Sequence, residues 1–280
     1  MGEIMEFVFK RAYRGSLQAV IFDWAGTTVD YGCFAPVKAF TNAFKSAGIE
    51  ITEEQARKPM GLQKREHIAK ILEMDEVAKK WLAAKNEPYT DDDIDEIYKI
   101  FIPLQLDILP DHCLIVPELP QVLQDVNARK LKIGSTTGYN AEMTSIVLDK
   151  AAAQGYIPDA VVTASDVKQA RPLPWMALLN AMKLNTYPME SIVKVGDTIP
   201  DIEEGLNAGM WTVGVIDSSS DMGLEPRQIT ACKPALLARK RKEISDKFFQ
   251  AGAHFIVNNL AELPLVLDEI EYRLKNCEKP

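Results

Sequence analysis

The chain has 280 residues, 47% hydrophobic and 26% charged, the balance of a globular protein long enough to bury a substantial core. A formal net charge of -8 gives no electrostatic footprint for nucleic acid or an anionic membrane, so an anionic small ligand would need positive charge supplied locally. Cys33, Cys113, Cys232 and Cys277 are widely spaced without a CxxC pair, which predicts neither a zinc site nor a disulfide framework and suits a reducing cytoplasm.

Glu3, Glu6, Lys10, Arg11 and Arg14 interrupt the apolar residues of the first sixteen, so no signal-peptide core is expected there. Phe7 and Phe9 hint at an added strand. No stretch approaches the ~20 apolar residues of a membrane-spanning helix. The run LQAVIF at 17–22 reads as the first buried strand. From 32 to 109 there are helical patterns and no strand, read as an inserted all-helical cap domain, with the core domain formed by 1–31 and 110–280. Within the cap, Thr52 and Gln55 have the spacing of a capping box. The acids Asp91, Asp92 and Asp93 read as a solvated helix start rather than a metal site. The helix that follows carries Lys99 and Ile100 and leads towards Pro103.

Beyond the cap, apolar runs at 131–136, 160–165, 191–196 and 212–216 alternate with helical patterns at about 141–154, 173–183 and 201–208. Alternation of this kind predicts an α/β fold with a doubly wound parallel sheet. From 217 to 250, Ser218, Ser219, Ser220 and Gly223 predict a loop before a basic helical run around Lys240 and Arg241.

Ligands of open α/β sheets sit beyond the carboxyl ends of the strands, which singles out Asp23, Thr136, Arg171 and Asp197. Asp23 precedes Trp24-Ala25-Gly26-Thr27-Thr28, a small-residue turn whose amides can surround a phosphoryl group. Asp197 lies in Val195-Gly196-Asp197-Thr198, with Asp201 four residues on. Carboxylates from adjacent strand ends suit Mg²⁺, which prefers hard oxygen ligands. Thr136, Thr137 and Gly138 offer hydroxyls and amides, and Arg171 supplies the positive charge that the overall composition lacks. An acid after a strand is by itself more often a turn or cap residue; four such residues in this order carry more weight.

Together these blocks resemble the haloacid dehalogenase superfamily. The resemblance implies that Asp23 attacks phosphorus and that a metal sits at Asp23, Asp197 and the backbone carbonyl of Ala25. Ordinary phosphatases of that superfamily carry a second Asp where this chain has Ala25. Without that acid an ester oxygen departs poorly, whereas a carbon leaving group needs an electron sink.

A protonated imine is such a sink, and Met60-Gly61-Leu62-Gln63-Lys64-Arg65-Glu66-His67 offers an amine. Lys64 and His67 are three apart, hence on one helix face, and a nearby His⁺ or partial burial would lower the Lys64 pKa. Taken alone, the same stretch reads as a solvated helix face. Combined with Ala25, Ser135-Thr136-Thr137-Gly138-Tyr139 and the Asp197 block, it resembles the phosphonoacetaldehyde hydrolase family. That resemblance implies a Lys64 imine, an Asp23 aspartyl-phosphate, and a homodimer. It also implies that Cys33, Met60, Gly61 and Tyr139 surround the substrate with Gly26, Thr136, Thr137 and Arg171. By composition Cys33 and Met60 read as core and Tyr139 as a loop residue.

The chain departs from the family pattern at Ala170, where Gly precedes the arginine, and at Pro200, which fits a first helical turn. Asp201 is expected just behind the metal ligands. The alternatives are hydrolysis of a related carbonyl phosphonate, a non-catalytic binding protein, and a sugar-phosphate phosphatase or mutase, the last disfavoured by Ala25.

Overall fold

The computed structural model describes residues 13–280, so the strand suggested by Phe7 and Phe9 lies outside the described residues. β1 (Ala19–Phe22) is completely buried, and its alternate side chains enter different layers. Val20 and Phe22 join one apolar cluster, Ala19 and Ile21 another, as a two-residue side-chain period requires of a strand covered on both faces.

After β1 the chain forms α1 (Phe34–Ser46), α2 (Glu53–Arg57), α3 (Lys64–Leu72), α4 (Asp75–Lys85) and α5 (Asp91–Ile108). Thr52 and Gln55 make a reciprocal capping box on α2, and Thr90 makes one with Asp93 on α5, so both acidic starts satisfy orphan backbone donors. α5 does not stop at Pro103 but runs on to Ile108. Its packing on α1, where Phe101 stacks on Phe40 at 4.4 Å between ring centres, offsets the one backbone bond that a proline removes.

α6 (Leu119–Ala128) then leads into β2 (Lys132–Thr137), α7 (Ala141–Ala152), β3 (Ala160–Thr163), α8 (Trp175–Leu184), β4 (Ile192–Gly196), α9 (Ile199–Asn207) and β5 (Trp211–Val215). The 217–250 stretch folds as a loop, α10 (Pro226–Ala231) and α11 (Pro234–Gln250). β6 (Phe255–Val257) and α12 (Leu263–Lys275) complete the described chain. All six strands are parallel in the order β3-β2-β1-β4-β5-β6. Strand order reverses around β1, which opens a crevice at the carboxyl ends of β1, β2 and β4. Among the described residues no helix is long and apolar enough to cross a membrane.

Candidate active site

Asp23 leaves the end of β1 with its N–H donated to the Val195 carbonyl of β4 at 2.9 Å. The next residues wind into a tight turn, the N–H groups of Thr27, Thr28 and Val29 all donating to the Trp24 carbonyl. Gly26 has φ 89°, and a Cβ there would lie 2.3 Å from Asp197 Oδ2. Only glycine therefore lets the turn pass so close to the second acid.

Asp197 is held from two sides, Thr27 Oγ1 donating to Oδ1 at 3.1 Å and the Ser220 N–H donating to Oδ2 at 2.9 Å. Asp201, in the first turn of α9, accepts from Lys194 Nζ at 2.6 Å and from Arg171 Nη1 at 2.9 Å. Arg171 also donates to Asp23 Oδ1 at 2.8 Å and to Glu204 Oε2 at 2.9 Å. Asp23, Asp197, Asp201 and Glu204 are thus four buried carboxylates facing two buried cations, Arg171 and Lys194.

The imbalance shows in the acids. Burial, then the neighbouring Asp201, pushes Asp23 up to about 6. Burial and then Asp23 push Asp197 well above the carboxylate range. Asp201 goes the other way, because Arg171 and Lys194 outweigh its burial. Oxygen ligand atoms of Asp23, Asp197 and Asp201 lie within 4.8 Å of one another. An all-oxygen donor set carrying excess negative charge fits a small hard divalent cation.

Across the crevice stand residues of the 32–109 segment. Gly61 (φ 95°) approaches so closely that a Cβ would meet Thr198 Oγ1 at 2.3 Å. Lys64, the first residue of α3, is 6% exposed. Burial lowers its pKa to about 8, and the positive end of a helix also disfavours an ammonium. Its Nζ lies 4.9 Å from the centre of the Tyr139 ring and 5.7 Å from that of Phe40.

His67 lies one turn on, fully buried and stacked on Phe40 at 3.9 Å. Burial, then Lys64, holds its pKa well below the usual range. The imidazole is therefore neutral, and burial rather than a His⁺ neighbour depresses Lys64. Nε2 sits 2.8 Å from the Ala56 carbonyl; a carbonyl only accepts, so Nε2 carries the proton. Nδ1 has no partner among the described residues.

One small cavity is lined by Asp23, Ala25, Cys33, Met60, Gly61, Lys64, Thr137, Tyr139 and Arg171. Burial and Asp30 keep Cys33 a thiol, and the buried Tyr139 hydroxyl has no partner among the described residues. Thr136 points the other way. Its hydroxyl donates to Glu204 at 3.0 Å and accepts from Arg171 Nη2 at 2.8 Å, since successive strand residues face opposite sides. Thr137 is the threonine on the cavity side.

Lys194 and Glu204 were not singled out by the sequence motifs. The signal was a lysine within an otherwise apolar buried strand, a place where charge persists only when paired.

A family model for haloacid dehalogenase-like hydrolases matches residues 17–209. The phosphonoacetaldehyde hydrolase of Bacillus cytotoxicus is 46% identical over 91% of this chain and 97% of its own length. The bifunctional phosphonoacetaldehyde hydrolase/aminoethylphosphonate transaminase of Clostridioides difficile is 46% identical over 94% of this chain, which spans 41% of that longer protein. The crystal structure of a phosphonoacetaldehyde hydrolase-like protein from Oleispira antarctica superimposes with a TM-score of 0.95 at 38% identity, covering 99% of this chain and 100% of its own. With its parallel sheet, its buried acids and its kinship along nearly the whole sequence, the chain belongs to the phosphonoacetaldehyde hydrolase family of haloacid dehalogenase-like hydrolases.

Proposed function

We propose that the chain hydrolyses the carbon–phosphorus bond of phosphonoacetaldehyde to acetaldehyde and phosphate. The observation that carries this reading is Lys64, a buried amine with its pKa lowered to about 8, opening on the same cavity as Asp23. No carboxylate pairs with it among the described residues, and a pKa of about 8 leaves about a tenth of it free amine at pH 7, far more than an ordinary lysine offers. Ala25 lines the same cavity and offers no acid for an ester leaving group.

In this mechanism the Lys64 amine adds to the aldehyde carbon and water is lost, leaving a protonated imine. An Asp23 oxygen then attacks phosphorus. The carbon–phosphorus bond breaks, and its electron pair becomes a carbon–carbon double bond as the imine nitrogen is neutralised to an enamine. Protonation at carbon and hydrolysis release acetaldehyde and Lys64; water cleaves the aspartyl-phosphate to phosphate and Asp23. His67, neutral and with Nδ1 unpartnered among the described residues, carries protons at the imine nitrogen. Arg171, Thr137 and the amides of Trp24, Ala25 and Gly61 hold phosphoryl oxygens, the Gly26 N–H being taken by the Val29 carbonyl at 2.8 Å, while Thr136 orients Arg171. Cys33, Met60 and Tyr139 enclose the two-carbon unit.

Asp23, Asp197 and the Ala25 carbonyl would hold Mg²⁺, with Asp201 behind them, and the cation would supply screening between the Asp23 carboxylate and the phosphoryl charge. Residues 32–109 act as the cap over the core of 1–31 and 110–280. The family resemblance extends the reading to a cytoplasmic homodimer. Phosphate and acetaldehyde assays on phosphonoacetaldehyde with magnesium test the reaction: equal release that is lost in Lys64→Ala supports it, and phosphate release that survives Lys64→Ala contradicts it.

A further inference from the structure

Arg57 is the last residue of α2, and its side chain reaches from the helical segment to the carboxyl end of the sheet. Its Nη1 donates to two backbone carbonyls, Gly32 at 2.7 Å and Ser220 at 2.9 Å. The guanidinium carbon lies 5.2 Å from the centre of the Phe34 ring, a cation–π contact that fixes its direction. Gly32 is tied to the same loop, its N–H donating to the Ser218 carbonyl at 2.8 Å. The loop is pinned on its far side by Asp217, which pairs with Arg241 of α11 at 2.6 Å, and by Asp221, which pairs with Lys247 at 2.6 Å.

Ser220 has a second role in this geometry. Its carbonyl takes the Arg57 bond, and its N–H gives the 2.9 Å bond to Asp197 Oδ2. Arg57 and Asp197 also share the wall of a cavity of about 150 Å³ with Met60, Thr198 and Ser220. Withdrawal of the guanidinium would leave the buried Ser220 carbonyl without this donor. Charge-assisted bonds such as the one from Arg57 are about twice as strong as neutral ones, so the loop position depends on the helical segment being in place.

We propose that Arg57 is a positioning residue for Asp197: seated helices hold Ser220 through Arg57, and Ser220 holds the Asp197 carboxylate in ligand geometry. The acid is then ordered for metal only when the Lys64 side of the cavity is closed over it. The inference rests on the reading of Asp197 as a metal ligand.

The test uses the full chain with Arg57→Ala and Arg57→Lys. Amide exchange at 218–223 is followed by mass spectrometry without metal, and magnesium is titrated into metal-stripped protein by calorimetry. Arg57→Ala is expected to speed exchange at 218–223 and to weaken magnesium binding about tenfold, the usual cost of losing a group that orients a metal ligand. Arg57→Lys, which keeps the charge, recovers part of both. In turnover, kcat in Arg57→Ala falls at limiting magnesium and recovers as magnesium is raised, while KM for the phosphonate changes little.

Gly223→Ala perturbs the same contact from the other side, since its Cβ would lie 3.1 Å from the guanidinium carbon, and should act in the same direction. Unchanged exchange and unchanged magnesium affinity in Arg57→Ala overturn the proposal. Wild-type protein that binds magnesium no better than Asp197→Asn overturns the metal-site reading instead, and the metal-free exchange data still decide whether Arg57 holds the loop.

Discussion

Arg171 Nη2 and Asp23 Oδ1 are 2.8 Å apart, with both side chains almost completely removed from solvent. The same guanidinium spans Asp201 and Glu204, each at 2.9 Å, so one planar cation organises three acids, one just beyond β1 and two on α9. Removing it strands buried carboxylates, a defect that typically costs 3–5 kcal/mol. Arg171→Ala is therefore expected to lower the melting temperature and to reduce kcat by about a hundredfold or more. Arg171→Lys restores charge but not the fork, so it recovers stability further than rate; thermal melts and steady-state kinetics read the two.

The lowered pKa of Lys64 sets a pH dependence of known sign. Imine formation needs free amine, so kcat/KM should rise about tenfold per pH unit below about 8 and level off above it. Stability moves with the same group. Lys64 titrates at about 8 in the folded chain against an ordinary 10.5, so burying the ammonium costs about 3 kcal/mol at pH values below 8. The cost disappears as pH rises from 8 to 10.5. Lys64→Met should be inactive yet more stable than wild type at pH 7, with the gap closing by pH 10 in denaturant titrations.

Gly26→Ala places a methyl 2.3 Å from Asp197 Oδ2 on a backbone with φ 89°. Both the clash and the left-handed conformation oppose it. The expected result is loss of magnesium affinity by calorimetry and a fall of about a hundredfold or more in turnover, with the far sheet edge at β6 unaffected in amide exchange.

His67→Phe separates stacking from proton transfer. The ring can keep its place on Phe40, while the bond to the Ala56 carbonyl is lost at about 1–3 kcal/mol. If His67 moves protons at the imine, kcat drops by about 10²–10⁴ while the imine still forms; kcat within twofold of wild type assigns His67 to packing alone.

The sheet was legible because each buried strand is an apolar run ending in a chemically distinctive residue, as in Phe22-Asp23 and Gly196-Asp197. β6 escaped because three residues, Phe255–Val257, give no periodicity to read. Pro103 does not mark the end of α5, because packing on a tertiary partner, α1, compensates the missing backbone donor. In the site, strand-end motifs point to Asp23 and Asp197, which border the crevice, and to Thr136, which does not face the cavity. Thr136 shows the limit, since its neighbour has the same chemistry and only the pleat decides which faces the cavity. Ser220 was visible only as part of a loop, because its contact with Asp197 is made by backbone, which every residue but proline carries. Lys194 and Glu204 act through each other and Arg171 across β4 and α9, a pairing that spacing along one strand does not reveal.

The measurement closest to the central claim is borohydride trapping with phosphonoacetaldehyde and magnesium, followed by peptide mass mapping. A reduced two-carbon adduct on Lys64, absent without the aldehyde and absent in Lys64→Ala, is the predicted result. Turnover with no adduct on Lys64, or an adduct on another lysine that persists in Lys64→Ala with undiminished phosphate release, would contradict the account.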